Sequence, residues 1–218
     1  MSKIVVAEIE GPSTTSNKIT IASGSQLDLV GSTGTTTIDA ADITAGDLPS
    51  ARLPIGTVVQ VVSATKTDTS SFSSTATDTF VDLAGMTVTI TPTSATSKIL
   101  IMFTVNITRT SAATQHVRLM RDTTAICIGD AAGSNRLRDT VATRVPNAGG
   151  VPYAYALMEL SNSYLDSPGT VSPIVYKLQG TLGSTYSGTF YINISSGDID
   201  ADYCMRTASS ITVMEIKA

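Results

Sequence analysis

The side chains able to do chemistry are few, and most stand apart in the sequence. His116 is the sole histidine, so a two-histidine metal site is ruled out. It opens an alternating run with Val117, Arg118 and Leu119, and reads as a structural histidine. Cys127 and Cys204 lack the C-x-x-C spacing of redox or zinc chemistry and read as buried free thiols, with a disulfide between them left open. Asp198, Asp200 and Asp202 stand two apart, like the front of a calcium loop. Such a loop requires Gly at its sixth position and Glu at its twelfth, where this chain has Tyr203 and Ser209. The three carboxylates therefore read as a solvated face. Glu159 with Asp166, and Asp130 with Asp139, are the pairs from which a glycosidase could be built, and their separation in space would decide it. Ser184, Thr185 and Tyr186, between Gly183 and Gly188, place an aromatic ring on a small polar loop, a chemistry suited to adaptable surface recognition. No catalytic, cofactor-binding or metal-binding residue is assigned, and no cofactor is expected.

Composition points the same way. The chain has 218 residues, with 14 Lys and Arg against 18 Asp and Glu and no Trp. A net charge of -4 without a local basic cluster excludes nucleic acid as a partner. Charged residues are only 15% of the chain, below the usual ~25%, and Ser and Thr fill the gap. The first residues, Met1 to Ala7, carry one Lys and a short apolar stretch cut off by Glu8, which is no secretory signal. Ile99 to Phe103, the most apolar run, is far short of the ~20 residues that cross a bilayer, so membrane insertion is not expected. An enzyme is disfavoured.

These residues would be positioned by two kinds of segment. From 18 to 56 the chain is rich in Gly, Ser and Thr and has no aromatic residue. Its aliphatics are spaced in pairs or at near-regular intervals: Ile19 and Ile21, Leu27 and Leu29, then Ile38, Ile43, Leu48 and Leu53. Period-two pairs bounded by turn residues read as short strands. Burying so few aliphatics falls short of the entropy lost in ordering the backbone, so this segment is expected to need identical neighbours to cover its apolar side; a flexible linker is the alternative reading, against which the regular aliphatics argue. Pro49 and Pro54 stiffen its end into a neck.

From 57 to 218 the pattern is that of an all-β sandwich. Strands are expected at Val58–Val62, on either side of Gly85 (Thr79–Leu83 and Met86–Thr91), and at Lys98–Thr108. Further strands are expected at His116–Arg121, Ala125–Ile128, Val151–Leu160, Ile174–Leu182, Gly188–Ile194 and Ile211–Ile216. The apolar start of Lys98–Thr108 predicts burial on both of its faces. Ala112–Gln115 and Asn135–Ala142 leave room for a helical turn at most.

Three stretches carry a family resemblance. Gly46 to Val62, Val88 to Ile101 and Ser209 to Ile216 resemble the stalk-to-head junction and heads of bacteriophage tail-fibre and virion fibre proteins, particularly those of marine phages. The resemblance covers about residue 45 to the end. It implies a homotrimer, with an intertwined β-stalk over 18–56 whose core is Ile19, Ile21, Leu27, Leu29, Ile38, Ile43, Leu48 and Leu53. A jelly-roll head similar to tumour-necrosis-factor-like domains would follow over 57–218. Residues 1–17 would hold the virion, through Ile4, Val5, Val6, Ala7 and Ile9 adding a strand to another virion protein of tail or capsid. It also implies a protein assembled in the host cytoplasm and carried on the particle, whose head meets a host glycan or protein. A capsid decoration protein without receptor binding and a glycan-cleaving tailspike are the alternatives.

Overall fold

The computed structural model describes residues 52–74, 78–110, 113–144, 155–183 and 187–218. Eleven strands lie within them: β1 (Val58–Lys66), β2 (Ser70–Ser74), β3 (Val81–Ile90), β4 (Lys98–Arg109), β5 (Gln115–Arg121), β6 (Thr124–Ile126), β7 (Val141–Thr143), β8 (Met158–Asp166), β9 (Ile174–Leu182), β10 (Gly188–Ile192) and β11 (Ser209–Ile216). Every pairing is antiparallel. In the first sheet β4 is central. β8 flanks it on one side, and β11 and β10 lie along the other; β1 and β2 continue outward from β11 and β10. The second sheet runs β3-β9-β5-β6, with β7 also on β5.

The pairs are nested: β1 with β11, β3 with β9, β4 with β8, β5 with β6 and β7. A long hairpin rolled so that its successive rungs fall alternately in two sheets gives this order, which is that of a jelly roll. The fold is a β-sandwich of that kind, as the short alternating strands predict. Residues 1–51, and with them all the residues expected to hold the virion (Ile4, Val5, Val6, Ala7 and Ile9) and the expected stalk residues through Leu48, lie outside the described residues.

Alternation places one side of each strand in the core. Ile99, Ile101, Phe103, Val105 and Ile107 of β4 face Leu83, Met86, Val88 and Ile90 of β3, with Tyr176, Leu178 and Leu182 of β9 also buried between the sheets. Phe190 stacks on Phe72 with ring centroids 5.0 Å apart. Gly180 leaves room for that stack: a Cβ there would lie 2.9 Å from Leu83 Cδ2 and 3.0 Å from Phe190 Cζ.

Several strand expectations change. Gly85 does not separate two strands; it sits inside β3 at φ 79°, where the pairing with β9 slips between Asp82 and Thr87. A glycine at positive φ in a strand is the signature of a bulge. The strand expected over Val151–Leu160 begins only at Met158 and continues to Asp166, carried by the Ser-rich alternation of Ser161, Ser163 and Leu165 on its exposed side. β2 and β7 are not legible as strands: β2 is Ser-Ser-Phe-Ser-Ser, and β7 is three residues long, at the end of the stretch where a helical turn had room. No α-helix occurs among the described residues. The apolar start of β4 is buried on one face only: Leu100 and Met102 are partly exposed on the outer side of the first sheet.

The two ends of the sandwich differ. The neck is tied to the C-terminus: Gly56 N–H donates to the Lys217 carbonyl at 2.8 Å, and Lys217 N–H to the Thr57 carbonyl at 2.9 Å. Lys217 Nζ donates to the carbonyl of Leu53, which is half-buried. β4 starts at this end, with Lys98 paired to Ile216, and runs twelve residues away from it. At ~3.3 Å per residue the other end is about 36 Å distant.

Candidate functional site

The first sheet is interrupted by an excursion of chain that no repeating pattern predicts. β10 and β11 lie end to end along β4, β10 opposite Ile107–Arg109 and β11 opposite Lys98–Thr104. Between them residues 193–208 leave the sheet. Asn193 sets this departure, fully buried at a left-handed φ of 63°. Asn tolerates that conformation because its short side chain bonds locally in place of the lost ladder. Its Nδ2 donates to the carbonyls of Lys66 and Asp68, at 2.8 and 3.1 Å, in the kink joining β1 to β2. Its Oδ1 accepts from the Ser209 hydroxyl. Its backbone N–H donates to Asn106 and its carbonyl accepts from Thr207. The excursion therefore rises from a rigid base.

The excursion folds back on itself through an Ile194–Arg206 bridge. Above the bridge, Arg206 grips Asp198 with its guanidinium: Nη2 donates to Oδ1 and Oδ2 at 3.0 and 2.8 Å, and Nε donates to Oδ1 at 3.2 Å. This pairing raises the arginine's pKa. Asp198, Ile199, Asp200, Ala201, Cys204 and Arg206 line an open cleft of about 370 Å³. Beside it Tyr203, half exposed, meets Tyr155 edge to face at 5.0 Å between centroids. Ile199 and Met205 are exposed on the same excursion. An exposed ring beside a carboxylate–guanidinium pair can hold a polar ligand with apolar faces, such as a sugar or a peptide segment.

Other sequence-marked residues fall elsewhere. Of Asp198, Asp200 and Asp202, Asp198 is paired with Arg206, and among the described residues no three His, Cys, Asp or Glu side chains are grouped to hold a metal ion. Cys127 and Cys204 are free and only half-buried, not buried. Burial pushes the Cys127 thiol up, and Cys127 turns at φ 51°, ending β6 short of Ile128. His116 Nδ1 lies 2.6 Å from Asp139 Oδ2, with both side chains largely shielded. Asp139 is thus a structural partner of the histidine. Glu159 and Asp166 stand seven residues apart on β8, about 23 Å, with Glu159 exposed and Asp166 buried. Asp166 accepts from Arg121 and from the Tyr176 hydroxyl, whose pKa is driven up by burial and by that carboxylate. They cannot flank one substrate. Ser184, Thr185 and Tyr186 lie outside the described residues, in the connection leaving Leu182.

Asn193, Tyr155, Tyr203 and Arg206 are not singled out by spacing or composition. The available signal was the loss of period-two alternation between Ile194 and Ser209.

No family model matches the chain, and no curated protein matches it. Among solved structures, similarity is found to the VP2 subviral particle of infectious bursal disease virus, at 14% identity with a TM-score of 0.35, over 73% of this chain and 38% of that one. The structure of the Gx strain of the same virus aligns at 13% identity with a TM-score of 0.36, over 79% of this chain and 46% of that one. The chain thus spans less than half the length of these proteins. Similarity at this level carries no functional information.

Proposed function

We propose that this chain is a non-enzymatic virion structural protein of bacteriophage type, a short homotrimeric fibre held to the particle through its N-terminal residues. The head projects outward and meets the host surface. The observation that carries this reading is the polarity of the sandwich. The neck and the C-terminus are knotted together at one end by Gly56, Thr57 and Lys217. The β9–β10 connection leaves from the opposite end, where Gln115 pairs with Leu182, and the 193–208 excursion departs from the half of β4 nearer that end. A domain tethered at one end and elaborated away from the tether has the form of a spike. The stalk that would precede the tether is aliphatic and aromatic-free, as an axial core shared by three chains requires.

The recognition surface in this reading is the excursion with Tyr203, Tyr155 and the Asp198–Arg206 pair. Three copies on one axis let weak contacts add. Deleting Met1 to Glu10 tests the attachment: the truncated protein is expected to remain a soluble trimer that no longer joins particles. Incorporation of the truncated chain would remove the N-terminal attachment. Labelling the protein on intact particles distinguishes a tail fibre from a capsid decoration protein of the same architecture.

A further inference from the structure

We infer that the outer face of the first sheet, along a row formed by Val61, Met214, Leu100 and Leu165, is covered by a second copy of this chain. The inference rests on the trimeric reading above and names the surface that three heads would share. Backbone register defines the row. Val61 pairs with Met214, Met214 with Leu100, and Leu100 with Leu165, so four apolar side chains line up across β1, β11, β4 and β8. Alternation puts all four on the side away from the core. Val61 and Leu165 are about half exposed, and Leu100 and Met214 partly so. Met102 and Ile216 flank the row, and exposed Ile55 and Val58 extend it to the neck.

Three further observations point to a copy of the chain as the occupant. First, β4 is apolar on both faces over Ile99–Phe103, the composition of a strand buried on both sides, yet its own domain covers one face only. Second, the two outer faces differ in charge. The second sheet carries Asp82 with Lys177 and Gln179, and Arg118 with Gln179 and Phe80, a network of ion pairs, hydrogen bonds and a cation–ring contact, and beside it the more shielded His116–Asp139 pair. On the outer face of β1, β11, β4 and β8 the charged side chains are Lys98 and Glu159, at opposite ends: Lys98 borders the row beside Leu100 and Ile216, and Glu159 is separated from it by Ser161 and Ser163. A nearly uncharged face can meet a copy of the same domain without burying unpaired charge. Third, the row begins where the chain arrives. Ile55 and Val58, which extend it, adjoin the Gly56–Lys217 and Lys217–Thr57 hydrogen bonds of the neck, so in the trimeric reading the row lies at the end of the head that the three chains would share. Val61 to Leu165 is therefore an interface row.

Oxidation by hydrogen peroxide, mapped by mass spectrometry on the full-length protein, reads this face directly, because methionine oxidation follows exposure. Met214 and Met102 report on the row, Met205 on the exposed excursion and Met86 on the buried core. In the assembled protein Met214 is expected to oxidise on the order of tenfold more slowly than in Val61→Glu/Leu165→Glu, whose changes fall on exposed positions and introduce charge into the row. Met205 should be unaffected. Equal Met214 rates in parent and variant, with a mass of three chains in both, overturn the interface while leaving the trimer intact. A protected Met214 in a protein with the mass of one chain overturns both readings and assigns the row to the chain's own N-terminal segment. If the variant does not fold, the ratio of Met214 to Met205 in the parent decides: similar rates contradict a covered face.

Discussion

The Ser209 hydroxyl donates to the side-chain carbonyl of Asn193 at 2.5 Å, joining the first residue of β11 to the residue at which the chain leaves β10. The same hydroxyl oxygen accepts from Asn106 N–H of β4 at 3.0 Å. One buried amide thus closes the base of a sixteen-residue excursion and holds the kink between β1 and β2. On this side of β4 the sheet is continued by two strands, β10 and β11, that meet at this point, and the candidate recognition surface stands on their junction.

Replacing Asn193 with Ala is expected to destabilise the head by about 3–5 kcal/mol, combining a disfavoured φ with unpaired buried carbonyls. Asn193→Gly keeps the backbone relaxed and should cost less. Urea unfolding of both variants checks this; equal stability in Ala and Gly variants would show that the backbone conformation contributes nothing.

Gly180→Ala places a methyl group against Leu83 and the Phe190 ring. The expected loss is about 1–3 kcal/mol with the Phe72–Phe190 stack displaced. A fall in the thermal midpoint with no change in assembly state is the anticipated result, and an unchanged midpoint would mean that the ring yields freely.

Acid should loosen the neck end. Burial acts to raise the Glu215 carboxyl, but hydrogen bonds from Gln60, Ser97 and Thr93 outweigh it and hold the group below the usual carboxylate range. Gln60 Nε2 lies 2.6 Å from Oε2, and Thr93 donates to Oε1 with both its N–H and its hydroxyl, at 2.8 and 2.7 Å. A depressed folded value means that this stabilisation is present above the unfolded glutamate value of about 4.3 and is lost as pH falls below it. Glu215→Gln should be less stable at pH 7, with the difference narrowing below about pH 4. A constant difference across pH 3–7 would contradict the assignment.

What the sequence made legible follows from periodicity. β9, at Ile174–Leu182, is read without error because one face is continuously apolar and both ends carry turn residues. β2 is a strand only because Phe72 reaches Phe190 from another part of the chain, and a run of serines carries no such signal. The candidate site is the least legible part. Asp198 lies in an apparent calcium motif, yet it serves an arginine eight residues away, and Asn193 serves a backbone turn. Both roles depend on contacts that local spacing does not encode. The apolar run of β4 was informative in a different way: it records a face that a single domain leaves open.

Tyr203→Ala and Arg206→Ala should weaken adsorption of particles to host cells without changing assembly, since both side chains are exposed. Loss of one aromatic or arginine contact costs about 1–3 kcal/mol per head, and three heads compound it. Normal adsorption by the double variant would remove the excursion as the recognition surface.

The central claim is that three identical chains form the fibre, and the mass of the full-length protein in solution tests it most directly. Light scattering on the purified chain should give three times its 22.6 kDa, unchanged on dilution. A mass of one chain would contradict the trimer, the shared stalk and the covered face together.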